Sequence, residues 1–199
     1  MTTTRKTLLH RVRDRDDREA WQQFFELYAP LLEGYARAQG LARADAEEVR
    51  DQCLEVLARR LPDFEYERAK GSFQSWLHAI ARGKVVDLLR TKRVRAGETT
   101  ELSALPDPDP APDESWERQW RAEHLRYCLR EARQSEPHEI YRVFELLLVD
   151  ELPVPEVCAR TGLNRNQVYK AKARVLRRVR ETLERLGVGG GPGFGESAG

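Results

Sequence analysis

Long apolar runs are missing from this 199-residue chain. No stretch approaches the roughly twenty apolar residues that a bilayer-spanning helix needs. A secretory core is missing at the N-terminus, which turns charged by Arg11, so the expectation is a soluble cytoplasmic protein with no membrane partner. Cysteine is scarce. Cys53, Cys128 and Cys158 form no C-x-x-C pair, and none of His10, His78, His124 and His138 is spaced with a cysteine as a zinc pair would be. An odd, unpatterned set of thiols points to buried cysteines in a reducing compartment, with no metal and no cofactor. Strand-like alternation of useful length and internal repeats are also absent. So are phosphate-binding loops, dinucleotide-binding glycine turns, zinc-protease helices and nucleophile elbows. No catalytic residue is therefore expected, and an enzyme is disfavoured.

What is present is charge, at 34% of residues against 40% hydrophobic. That balance favours thin helical domains over one thick core. The net charge is only +1, but the charge is segregated along the chain, and segregation is what a partner surface feels.

Residues from about Thr7 to Arg95 read as a first helical block. Leu8, Leu9 and Val12, then Trp21, Phe24, Phe25, Tyr28, Leu31, Leu32 and Tyr35, recur at helical spacing. A second helix is predicted to start near Asp45, to carry Val49, Cys53, Leu54, Val56, Leu57 and Leu61, and to stop at Pro62. A polar loop from Asp63 to Gly71 holds Phe64 and Tyr66. A long helix after Ser72 carries Phe73, Trp76, Leu77, Ile80, Val85, Leu88 and Leu89. From Ala96 to Ser115 the composition changes: Pro106, Pro108, Pro110 and Pro112 alternate with acids, and Lys and Arg are absent. Such a segment cannot bury a core and reads as a flexible linker. A second helical block runs from about Trp116 to Leu186, followed by a Gly-rich tail from Gly187 to Gly199.

Three constellations carry chemistry. Val154 to Lys170 reads as a helix-turn-helix: a short apolar-periodic helix, Thr161-Gly162-Leu163, then Asn164 as an N-cap with Gln167 in capping-box position. The helix so started holds seven Arg or Lys from Arg165 to Arg180 and no acid. Val168, Ala171, Val175, Val179 and Leu183 should face inward. Asn166, Lys170, Arg174 and Arg177 should face outward, flanked by Arg165, Tyr169 and Ala173. A capped basic helix launched from a tight turn suits the major groove, where Arg and Lys reach guanine and Asn reaches adenine. The second constellation is Arg82, Lys84, Arg90, Lys92, Arg93 and Arg95, opposed only by Asp87. Helix-dipole compensation explains two or three of these cations, not the run. Phe64 and Tyr66 nearby match the stacking equipment of single-strand binders, whereas Phe73 and Trp76 fit core packing better. The third is acidic: Asp45, Glu47, Glu48, Asp51 and Glu55 surround an apolar stripe without a basic partner set on the same face. Taken alone it is a solvated surface.

In this order the features resemble the extracytoplasmic-function (ECF) sigma factors of bacterial RNA polymerase, in the sigma-70 family. Asp45-Ala46-Glu47-Glu48-Val49-Arg50-Asp51-Gln52-Cys53, Gly71 to Arg82 with its Phe73, Trp76-Leu77 and Ile80-Ala81-Arg82, and Val85-Val86-Asp87-Leu88-Leu89-Arg90 resemble sigma domain 2. Val168 to Arg178 is similar to the recognition helix of sigma domain 4. Phe64-Glu65-Tyr66 and Val168-Tyr169-Lys170-Ala171-Lys172 are similar to phrases of planctomycete members. Gly83 departs from the family, which usually has Asn there, and no segment is long enough for the middle domain of primary sigma factors.

The resemblance implies an all-α fold of two small helical domains. Residues 1–95 would be domain 2, 96–115 the acidic linker, 116–186 domain 4 and 187–199 a disordered tail. It implies core-polymerase contact through Asp45, Glu48, Asp51, Gln52 and Glu55 on the clamp helices. It implies a downstream promoter element held, partly single-stranded, by Phe64, Tyr66, Lys84, Asp87, Arg90, Lys92 and Arg93. It implies an upstream duplex element read by Arg165, Asn166, Gln167, Tyr169, Lys170, Ala173, Arg174 and Arg177. The linker would thread the RNA exit region, and an anti-sigma protein is a further class of partner. The competing reading is a free-standing helix-turn-helix regulator that does not bind core polymerase.

Overall fold

A computed structural model describes residues 7–63, 72–95 and 112–186. Among them it contains helices and no strand: α1 Leu8–Arg11, α2 Arg18–Ala38, α3 Arg43–Arg60, α4 Phe73–Arg95, α5 Glu114–Ser135, α6 His138–Leu148, α7 Val154–Thr161 and α8 Arg165–Leu186. The all-α expectation holds. The chain divides into two compact units, His10–Glu123 and a second composed of His124–Gly199 with Met1–Leu9. Residues 64–71, 96–111 and 187–199 lie outside the described residues, and with them Phe64, Tyr66, most of the expected linker and the expected tail.

In the first unit, α2 begins where Asp17 caps it, accepting from the Ala20 amide at 2.9 Å while Arg11 grips the same carboxylate at 2.8 Å. That Arg11 bond is the main reason the Asp17 carboxyl sits below the usual range. The stripe Phe24, Leu27, Tyr28, Leu31, Leu32 and Tyr35 is buried. The helix runs through Pro30, whose missing N–H ordinarily breaks a helix; the buried stripe on both sides holds it together. α3 starts two residues before Asp45, from Ala42, whose side chain makes no capping bond, and it stops before Pro62. Its inner face is Ala46, Val49, Cys53 and Leu57. α4 is capped by Ser72, whose Oγ accepts from the Ser75 amide at 3.1 Å. It buries Phe73, Leu77, His78, Ala81 and Val85.

The first unit also holds the beginning of α5. Trp116 and Trp120 are buried and close an aromatic cluster with Tyr28, Tyr35, Phe73 and His78. Trp116 lies 5.1 Å from Tyr35 and 5.2 Å from His78, and Trp120 lies 5.8 Å from Tyr28, centroid to centroid. Such edge and tilted pairs add to the area that aromatics bury. Asp113 caps α5 through the Trp116 amide at 2.8 Å. The sequence reading groups Trp116 and Trp120 with the second block; their side chains belong to the first unit's core. Helical spacing cannot say which of two bundles a helix end joins.

In the second unit, Val143, Leu146, Val157, Val168 and Ala171 form one core cluster, with Ile140, Leu147, Leu152, Val154, Cys158 and Leu163 packed against it. A neighbouring cluster joins Ala132, Tyr141, Phe144 and Val175. Pro155 sits in the first turn of α7, where its missing N–H is harmless. Gly162 ends α7 with φ of 71° and returns its amide to the Cys158 carbonyl at 2.9 Å. A side chain other than Gly is strained in that conformation, so the turn between α7 and α8 depends on it.

Candidate nucleic-acid and polymerase interface

The start of α8 is fixed from both directions. Asn164 Oδ1 accepts from the Gln167 amide at 2.9 Å, and Gln167 Oε1 accepts from the Asn164 amide at 2.8 Å. This is the reciprocal capping box expected from the sequence. It engages the Gln167 carbonyl in the cap, although Gln167 was also assigned to DNA. Val168, Ala171, Val175, Thr182 and Leu186 are buried, while Val179 and Leu183 are only half-buried. At about 3.6 residues per turn, Asn166, Lys170, Ala173, Arg177 and Arg180 share the arc opposite that stripe, and all are exposed. Arg180 was missed by the sequence reading, although continuing the three-and-four spacing from Asn166 finds it.

Arg165 and Tyr169 stand together on one flank, the guanidinium 5.7 Å from the ring centroid, with Arg165 donating to the Tyr169 hydroxyl at 3.5 Å. Arg174 is drawn to the other flank, where its Nε donates to Glu136 Oε2 at 2.5 Å. It is exposed, but it is not on the outward arc where the sequence placed it.

In the first unit, α3 presents Glu48, Asp51, Gln52 and Glu55 on the side away from its buried stripe. The expectation that this face lacks basic partners is overturned. Asp51 bonds Arg50 at 2.8 Å, Glu47 bonds Arg43 at 2.8 Å, and Glu55 lies 3.4 Å from Arg59. Asp45, only 17% exposed, is paired with Lys92 of α4. Two residues assigned to different partners, Asp45 to polymerase and Lys92 to DNA, thus pair with each other. The basic residues lie on neighbouring positions of the same and the next helix, which a count along α3 alone overlooks. The Arg43–Glu47 and Arg59–Glu55 pairs are largely exposed and weak.

On α4, Asp87, Arg90 and Arg93 are exposed and Lys84 is half-buried near Cys53. Gly83 is exposed, and a Cβ built there meets no atom within 4 Å.

One cluster had no signal in the sequence. Tyr35 donates to Asp113 Oδ2 at 3.3 Å, and His78 Nε2 lies 3.3 Å from the Tyr35 oxygen and 3.5 Å from the same carboxylate oxygen. Partial burial pushes the Asp113 carboxyl up, but the Trp116 amide, the Ser115 hydroxyl, His78 and Tyr35 outweigh it, and the group ends below the usual carboxylate range. Among the described residues no cluster of His, Cys, Asp and Glu is arranged to hold a metal, and no helix is long and apolar enough to cross a membrane.

Residues 24–95, from the middle of α2 to the end of α4, match the family described as Sigma-70 region 2. They contain the acidic face of α3 and the basic end of α4. Over 179 residues the chain is 26% identical to the ECF RNA polymerase sigma factor RpoE of Cereibacter sphaeroides, covering 90% of this chain and 91% of that protein. The two comparisons agree: the first unit is similar to sigma-70 region 2, and the chain as a whole is similar to an ECF sigma factor. The region 2 match ends at Arg95, so the docking of Trp116 and Trp120 onto the first unit lies outside the segment that the family description covers.

Proposed function

We propose that this chain is an ECF sigma factor of the sigma-70 family, which joins the core of bacterial RNA polymerase and directs transcription initiation at specific promoters, contributing sequence choice rather than catalysis, in the cytoplasm. The observation that carries the reading is the presence, in one chain, of a region 2 bundle with an outward acidic face and a capped helix-turn-helix with an outward basic face. The acidic face of α3, with Glu48, Asp51, Gln52 and Glu55, is suited to a basic clamp surface, where complementary charge speeds association and fixes register. The exposed end of α4, with Asp87, Arg90 and Arg93, is suited to the downstream element together with Phe64 and Tyr66. The outer arc of α8 is suited to duplex in the major groove.

The free-standing regulator is disfavoured, because such a protein has no use for a sigma region 2. The test is co-purification of the full chain with bacterial core polymerase, followed by run-off transcription from genomic fragments. Binding to core with discrete start sites is expected. A chain that ignores core yet still shifts promoter fragments refutes the sigma reading.

A further inference from the structure

Glu136 lies between the end of α5 at Ser135 and the start of α6 at His138, and its side chain is 3% exposed. Oε2 accepts from Arg174 Nε at 2.5 Å, and Oε1 lies 3.6 Å from Arg178 Nε. Arg178 in turn reaches Glu181 at 3.2 Å. A buried carboxylate is costly unless it is paired, and an apolar residue of similar volume would often serve folding as well. Here the charge acts on α8. Arg174 and Arg178 stand one turn apart, and both are turned toward Glu136 rather than onto the arc of Asn166, Lys170, Ala173, Arg177 and Arg180. Arginines that reach any phosphate strengthen binding to all sequences alike. Arginines tied to a fixed carboxylate do not.

We propose that Glu136 is a positioning residue for duplex specificity. It holds Arg174 and Arg178 on the flank of α8 and offsets their charge, so that binding depends on the outward arc. The proposal rests on the promoter-reading role of α8 and gives Arg174 a duty other than base contact.

The test uses the full chain assembled with core polymerase and two probes: a duplex enriched by the wild-type assembly from a randomised library, and a random-sequence duplex. Affinity is measured across a salt series. In Glu136→Gln each released arginine is expected to steepen the salt slope by about 0.9 and to raise random-duplex affinity about eightfold at 0.1 M salt. Preference for the enriched duplex should fall accordingly. Glu136→Asp, which keeps the charge, should return toward wild type. In an Arg174→Ala, Arg178→Ala background the Gln change should do nothing further. If the amide prevents folding, Glu136→Met carries the same expectation, since it removes the charge at similar length. An unchanged slope and preference overturns the proposal, even if the melting temperature falls, because that is a purely structural role. An effect that persists in the double-Ala background overturns it too. A wild-type assembly that enriches no duplex removes the promoter reading beneath it, whereas normal enrichment with an unresponsive Glu136 variant sinks this inference alone.

Discussion

Reversing Glu48 and Asp51 to Lys separates the polymerase-binding role proposed for α3 from its folding role. Asp51 exposes 65% of its side chain, and its partner Arg50 retains a second carboxylate, Glu33, at 3.2 Å. Glu48 is exposed and accepts from Gln52 at 3.0 Å. The fold therefore loses one exposed ion pair and one exposed hydrogen bond, about 1 kcal/mol or less. Against a basic partner the arithmetic differs. A charge pair at about 4 Å contributes roughly 1 kcal/mol even at the dielectric of water, and reversal turns that attraction into an equal repulsion. Two reversals thus cost about 4 kcal/mol of binding, or roughly a thousandfold in Kd. Core affinity is read by titrating labelled full-length chain with core polymerase, and folding by circular dichroism on the same preparations. Wild-type core affinity in a folded double variant would refute the placement of the clamp contact on α3.

Three further outcomes follow. Trp116→Ala removes a fully buried indole and should destabilise the first unit by about 3–5 kcal/mol in urea unfolding followed by fluorescence of the other tryptophans; a loss below about 1 kcal/mol would mean α5 is not integral to that unit. Asn164→Ala breaks the side-chain arm of the capping box at 2.9 Å and should cost the second unit about 1 kcal/mol, measured by chemical denaturation, with an unchanged midpoint counting against it. The Asp113 carboxyl is depressed, so its contribution is complete above the ordinary aspartate range near pH 3.9 and is lost as pH falls through the lower folded value; its partial exposure keeps the effect small. Asp113→Asn should flatten the acid limb of a stability–pH curve, and an identical acid limb in both proteins would contradict it.

Much of this was legible in the chain because the signals were local. The Asn164 to Gln167 capping box and Gly162 lie within a few residues of one another, so sequence alone fixes the turn and the start of α8. The stop at Pro62 and the inner stripe of α3 follow from backbone chemistry and periodicity in the same way. What escaped was set by contacts distant in sequence. Glu136 meets Arg174 across 38 positions, and that contact decides which face of α8 the arginine occupies. Lys92 neutralises Asp45 across 47 positions. Trp116 and Trp120 carry no mark of the bundle they complete. Pro30 would have broken α2 by propensity alone; tertiary packing overrode it.

The three thiols differ in their surroundings, and this makes the chain its own reporter. Burial pushes Cys53 and Cys128 up to about 12, leaving about one thiolate in a hundred thousand at neutral pH. Neither can answer an oxidant or an alkylating dye while the protein is folded. Cys158 is only half-buried on α7, one helix away from the α8 face proposed to read the promoter. A maleimide fluorophore added to the native, unmutated protein should therefore enter there first and report DNA engagement at the helix-turn-helix, while later labelling of the other two thiols would time the opening of each unit's core.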